Sequence, residues 1–294
     1  MTVTEWRRLL ATAALAFAVS SAASRAADAQ GGPGAPPAPL PRGFQLDLAD
    51  SAAQARAIFQ AAIDTATEPA AKAAAQRAMA MSFAFGGDCA NTVRYETPVI
   101  AYWATREQAD PGNAFYQEGE IADEAARVCL DAGDLAAAER WYRRGYELGV
   151  KEPAPATHPR SLWAFRLAHA LGRIAARRGD TAEARRQIAA ARRALDGDSA
   201  MAAQQERFFP YLVGYVALYT GDLATAEAQL TRATALRGNE RDPFVRCLLA
   251  MVYERQGRKN AADVAYRQAY DLATGHNPPA AFVRPYVRRK LGLP

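Results

Sequence analysis

Three cysteines and three histidines are the residues of this 294-residue chain best equipped for metal, redox or acid–base chemistry. His158, His169 and His276 stand too far apart to share one helix face as a metal pair, and no Cys-x-x-Cys accompanies them. The chain has no Gly-x-Ser-x-Gly nucleophile elbow, no P-loop, and no Gly-x-Gly-x-x-Gly turn between a strand and a helix. Gly31-Gly32-Pro33-Gly34 belongs to a Pro/Gly-rich stretch and is not a phosphate cradle. The neighbouring carboxylates Asp123/Glu124 and Glu118/Glu120 read as a solvated helix start, where negative charge suits the positive end of the helix dipole. Neither catalysis nor a metal or cofactor is expected. Cys89, Cys129 and Cys247 are an odd set.

These residues must be positioned by helices. Alanine is abundant and β-branched residues are few, a balance that favours helix because alanine loses almost no side-chain entropy on forming one. Four segments then repeat one pattern, at 125–145, 171–191, 213–233 and 249–269. Aligned on Gly133, Gly179, Gly221 and Gly257, each has an alanine five residues on (Ala138, Ala184, Ala226, Ala262). A large residue follows four later (Tyr142, Ile188, Leu230, Tyr266), then a small one (Gly145, Ala191, Ala233, Ala269). The glycine ends one helix in a left-handed conformation, and Asp134, Asp180 and Asp222 cap the next. Small residues let helices approach closely, and the large residue fills the space between hairpins.

These columns resemble the tetratricopeptide repeat over roughly residues 114–275. That resemblance implies an all-α fold, a right-handed α-solenoid of stacked helix-turn-helix hairpins. The turn glycines are 46, 42 and 36 residues apart, so the repeats are degenerate and their loops enlarged, notably around 151–160 and 197–201. Upstream, 51–66 and 69–85 read as helices. After Gly86-Gly87-Asp88 another helix runs to about Gln108, bent at Pro98, which makes an eroded hairpin region over 44–112. Four repeats fill 113–276, and 277–294 makes a closing helix whose Phe282, Val283 and Tyr286 cover the last hairpin.

In this family the first helices of successive hairpins line a concave groove. Carried over, the resemblance implies a groove of Asp123, Arg127, Arg166, His169, Arg173, Arg177, Phe208, Tyr211, Tyr215, Phe244 and Met251. Such a surface fits a peptide or helix bearing acidic and apolar side chains: arginine forks pair with carboxylates, and the aromatics give rigid contact area. The alternative is solvated arginines and aromatics packed under a loop. The array also sets Cys89 and Cys129 at one level on adjacent helices. They would be bridged if their Cα atoms fall within ~7 Å, and would otherwise be two buried thiols. Cys247 reads as a small packed hydrophobe.

Residues 1–29 have the layout of a secretory signal: Arg7-Arg8, an apolar run from Leu9 to Val19, and Ala27-Asp28-Ala29 before Gln30. Residues 30–43 read as a Pro/Gly-rich linker. The expectation is an exported protein, periplasmic or secreted, with no stable membrane insertion after cleavage. The net charge of +5 is mild and nucleic acid is not an expected partner. The partner implied is another protein or a peptide. Two alternatives are an enzyme or binder of a small anionic ligand on a helical solenoid, and a structural subunit of an envelope complex.

Overall fold

The computed structural model describes residues 39–293. They form fourteen α-helices and one short 3-10 turn, with no strand among the described residues. The helices are α1 (Pro39–Leu48), α2 (Ala52–Thr65), α3 (Pro69–Phe85), α4 (Cys89–Ala104), α5 (Pro111–Ala132), α6 (Leu135–Gly149) and α7 (Arg160–Arg177). There follow α8 (Thr181–Asp196), α9 (Ser199–Gln205), α10 (Phe209–Thr220), α11 (Leu223–Ala235), α12 (Pro243–Arg255), α13 (Lys259–Leu272) and α14 (Pro278–Leu291). The pairs α3/α4, α5/α6, α7/α8, α10/α11 and α12/α13 are antiparallel hairpins stacked in chain order. No described helix is long and apolar enough to cross a membrane.

The turn chemistry is local and regular. Gly133, Gly179, Gly221 and Gly257 take φ of 93°, 77°, 89° and 75°, a region where a Cβ is strained. The next residue caps the following helix at three of these turns. Asp134, Asp180 and Asp222 accept from the backbone N–H of Ala137, Glu183 and Thr225 at 2.9, 2.9 and 3.0 Å. Between hairpins the small columns are buried: Ala126, Ala138, Ala184, Ala226 and Ala250 have no exposed surface. Gly119 and Gly145 bring α5 and α6 so close that a Cβ at either would stand 2.9 Å from the other's carbonyl oxygen.

Three elements differ from the expectation. The linker expected over 30–43 ends sooner, because α1 starts at Pro39. Leu40, Phe44 and Leu48 recur every four residues along it, and all three are packed. Gly43 admits the Phe59 ring against its backbone. The signal and the rest of the linker lie outside the described residues. Second, the loop expected near 197–201 contains α9, opened by Asp198, which accepts from the Met201 N–H at 3.0 Å. Third, Glu118 and Glu120 are not a solvated helix start. Because α5 begins at Pro111, both fall beyond its first turn, and Glu118 is only 2% exposed.

The largest difference is curvature. The closing helix α14 packs on α12 and α13 as a next repeat would, and also lies against α3 and α5 at the other end of the stack. The solenoid therefore closes on itself. Arg284 donates from Nε to the Leu48 carbonyl at 2.8 Å, and Arg288 pairs with Asp50 at 3.3 Å. His276 meets Asp47 at 2.8 Å and stacks on Phe44 and Phe85, with ring centroids 4.3 and 5.5 Å apart. Ser82 donates to the same Asp47 at 2.8 Å. Met81, Ala84 and Phe85 share one hydrophobic cluster with Val283 and Val287.

Candidate functional site

Helical spacing places four rows of side chains on the inner face. From α5 come Glu120, Asp123, Arg127 and Asp131; from α7, Arg166, His169, Arg173 and Arg177. Phe208 in the 3-10 turn leads into Tyr211, Tyr215 and Tyr219 on α10, and α12 adds Phe244 and Met251. The resemblance implied an open trough along these residues. Closure by α14 makes it a packed interior with a cleft at each end. His169, Arg173, Tyr211, Tyr215, Phe244 and Met251 are buried, while Asp123, Arg127, Arg166, Arg177 and Phe208 are half-buried.

The first cleft, about 400 Å³, gathers Asp123, Arg127, Arg166, His169, Arg173, Phe208 and Tyr211. The second, about 420 Å³, takes Arg177 and Met251, with Phe85, Asp131, Tyr219, Phe282, Tyr286 and Arg289. Tyr215 and Phe244 line neither cleft.

At the rim of the first cleft two ion pairs bridge neighbouring helices. Arg166 pairs with Glu120 and reaches the Tyr116 hydroxyl at 3.4 Å. Arg77 holds Glu124 at 2.7 Å. Deeper, the Arg173 guanidinium is held by neutral groups: it donates to the Tyr211 and Tyr142 hydroxyls at 3.0 Å each and to the His169 carbonyl at 3.3 Å. Arg127 lies over the Phe244 ring, 4.7 Å from its centre. Among the described residues nothing accepts a hydrogen bond from Arg127, no carboxylate is within ion-pair distance, and its Nε is buried without a partner.

Burial sets the protonation of this interior. It pushes the Asp123 carboxyl up to about 8 against the opposing pull of Arg166, with Glu120 adding to the rise. It pushes Asp131 up to about 6, although Arg127, Arg173 and Arg177 all oppose it. His169 is driven well below its ordinary range by burial and then by Arg173, so it is neutral and its Nε2 has no partner. Glu96, fully buried next to Glu124, is held well above the usual carboxylate range by burial first and then by that neighbour. Glu118, outside the clefts, rises to about 7 through burial and the nearby Glu107.

Cys89 and Cys129 form a disulfide, with Cα atoms 4.6 Å apart, which ties the start of α4 to the last turn of α5. Cys247 is a buried free thiol whose pKa burial raises. Among the described residues no three His, Cys, Asp or Glu side chains gather as a metal site. The repeat pattern did not point to Arg77, Tyr142, Asp242 or Asn277. Arg77 stands ten residues before Gly87, a turn glycine with φ of 68° followed by the capping Asp88, which is the register of Asp123, His169 and Tyr211 before their own turns, so the turn signal could have found it. Tyr142 was visible only as a packing residue, yet its hydroxyl reaches the cleft.

Residues 245–276, most of the α12/α13 hairpin, match the family model described as tetratricopeptide repeat. No curated protein matches the chain.

Proposed function

The chain is a tetratricopeptide-repeat protein, and we propose that it is an interaction scaffold that receives a segment of another protein at the inner face beside α14. The partner does not run a long helix along the whole concave side, because α14 occupies that space. It anchors instead at the second cleft, where a large apolar side chain enters between Phe85, Tyr219, Met251, Phe282 and Tyr286. An acidic neighbour in the partner meets Arg177 and the exposed Arg289. Support comes from the make-up of this cleft: aromatic and methionine walls with an arginine rim are the residue types that dominate binding energy at protein interfaces. The chain works in an exported, oxidising setting, a placement that suits a disulfide and the signal-like N-terminus.

The test is cross-linking and co-purification from the native compartment with Tyr219→Ala combined with Arg289→Glu. Neither side chain is fully buried, so the fold should survive, as circular dichroism will verify. The expected result is loss of partners that the parent recovers. Recovery of the same set by both chains refutes the placement.

A further inference from the structure

We infer that the first cleft is a binding site for a small monocarboxylate with an apolar or aromatic body, its carboxylate lying on the Arg127 guanidinium. This does not depend on a protein partner docking at the second cleft.

The inference starts from charges that the protein leaves unanswered. A guanidinium taken out of water is costly unless an anion or several acceptors replace its hydration. Arg127 has neither, and its Nε is already buried. Arg173 beside it is held only by two phenol hydroxyls and a carbonyl. Of the nearby carboxylates, Asp131 lies one turn along α5, lines the second cleft and is not within ion-pair distance of Arg127, and the others are engaged elsewhere. Glu120 serves Arg166 and Glu124 serves Arg77. Asp242 is bound to the N-terminus of α12, accepting from the Phe244 and Val245 N–H groups at 2.8 and 3.1 Å. Asp123, raised by burial to about 8, is largely protonated at neutral pH and offers a hydroxyl donor.

The lining thus brings Arg77, Arg127, Arg166 and Arg173 together with Glu120, Asp123, Glu124 and Asp242, and of these arginines Arg127 alone has no hydrogen-bond acceptor. Arg127 lacks a counterion. A monocarboxylate supplies it, and its two oxygens match the parallel N–H groups of a guanidinium fork. Phosphate lacks the apolar body that the rest of the lining is shaped to receive. The remaining lining fixes the ligand's other end. Phe165, Phe208 and Tyr211 offer aromatic faces, and Pro278 and Pro279 at the start of α14 close the wall without backbone N–H groups. At about 400 Å³ the space falls within the usual range for small-molecule sites and holds a ring or a short aliphatic chain.

The probes are phenylacetate and hexanoate, with inorganic phosphate and sodium chloride as controls at matched ionic strength. They are read by thermal unfolding and titration calorimetry on the chain with its disulfide intact. A probe at a hundred times its Kd should raise Tm by about 5 °C or more. Arg127→Leu should abolish the shift while keeping or raising the ligand-free Tm, since it removes a half-buried charge that has no counterion. Arg127→Gln provides the same readout should the leucine variant fail to fold. No shift with either carboxylate, an equal shift with phosphate, or a shift that survives both substitutions overturns the inference. The co-purification on second-cleft variants described above is read separately, so the two proposals fail independently.

Discussion

Breaking the Cys89–Cys129 bridge tests the packing of the first hairpins quantitatively. The bridge closes a loop with a sequence separation of 40, containing all of α4 and most of α5. In the chain-entropy treatment a loop of that length restricts the unfolded chain by about 3.9 kcal/mol at 25 °C. For a folded body of this size each kcal/mol moves Tm by roughly 2–4 °C, so reduction should lower Tm by about 8–15 °C. The state of the cysteines is established first. Alkylation of the unfolded, unreduced chain should label one cysteine, Cys247, and alkylation after reduction should label three. Urea unfolding with and without reductant then gives the free-energy difference in a single sequence, free of the cavity that substitution at the buried Cys129 would add. Three labelled cysteines without reductant would show that α4 and α5 are not stapled. A midpoint unchanged by reduction, with the bond proven, would show that the unfolded chain keeps these helices together and the entropy argument does not apply.

Asp123 binds its proton more tightly in the folded chain, to about 8, than its ordinary carboxylate value of 3.8. Its contribution to stability is thus complete below ~pH 4 and lost as pH rises through 8. Asp123→Asn should flatten the fall of Tm between pH 5 and pH 8, and parallel curves for parent and variant would contradict this. Gly119→Ala places a methyl against the Trp163 ring and the Gly145 carbonyl. Overpacking of about 1–3 kcal/mol should exceed the ~1 kcal/mol gain in helix propensity, giving a lower urea midpoint. His276→Ala removes the contact to Asp47 and the stack on Phe44 and Phe85. Faster hydrogen exchange in α1 and α14 is expected, with the middle hairpins little changed.

Each repeat was legible because its signals are local. A glycine with positive φ, an aspartate after it and an alanine five residues on report the same hairpin wherever they occur, as at Gly221, Asp222 and Ala226. α1 was obscured by its composition: two prolines and a glycine hid the spacing of Leu40, Phe44 and Leu48. Curvature was illegible for a different reason. It is the sum of small rotations between hairpins, and no single residue encodes it. The sequence marked α14 as a cap over the last hairpin, and its inner positions are indeed apolar. That Val283 and Val287 would share a cluster with Met81 and Phe85, some two hundred residues earlier, depends on every intervening angle. The inner-face residues were named from helix positions in the repeat, and spacing along a helix carries no signal for how deeply a position is buried once the stack closes.

Closure also changes what such a face can recognise. In an open solenoid the inner helices present one long surface, and arginines along it are hydrated until a partner arrives. Here Arg173 is buried and Arg127 and Asp123 are half-buried before any ligand arrives. The desolvation of Arg127, Arg173 and Asp123 is therefore met during folding and not during binding, and folding energy from the surrounding hairpins must sustain it. A ligand entering the first cleft then gains the charge-assisted contact without first stripping these groups of water, which is the energetic meaning of preorganisation. The same closure limits the ligand: a space of about 400 Å³ excludes a folded helix and favours a small acid or a single side chain. Selectivity at the first cleft should rest on the fit between a carboxylate and the unpartnered Arg127 fork at one end and an apolar body against Phe165, Phe208 and Tyr211 at the other.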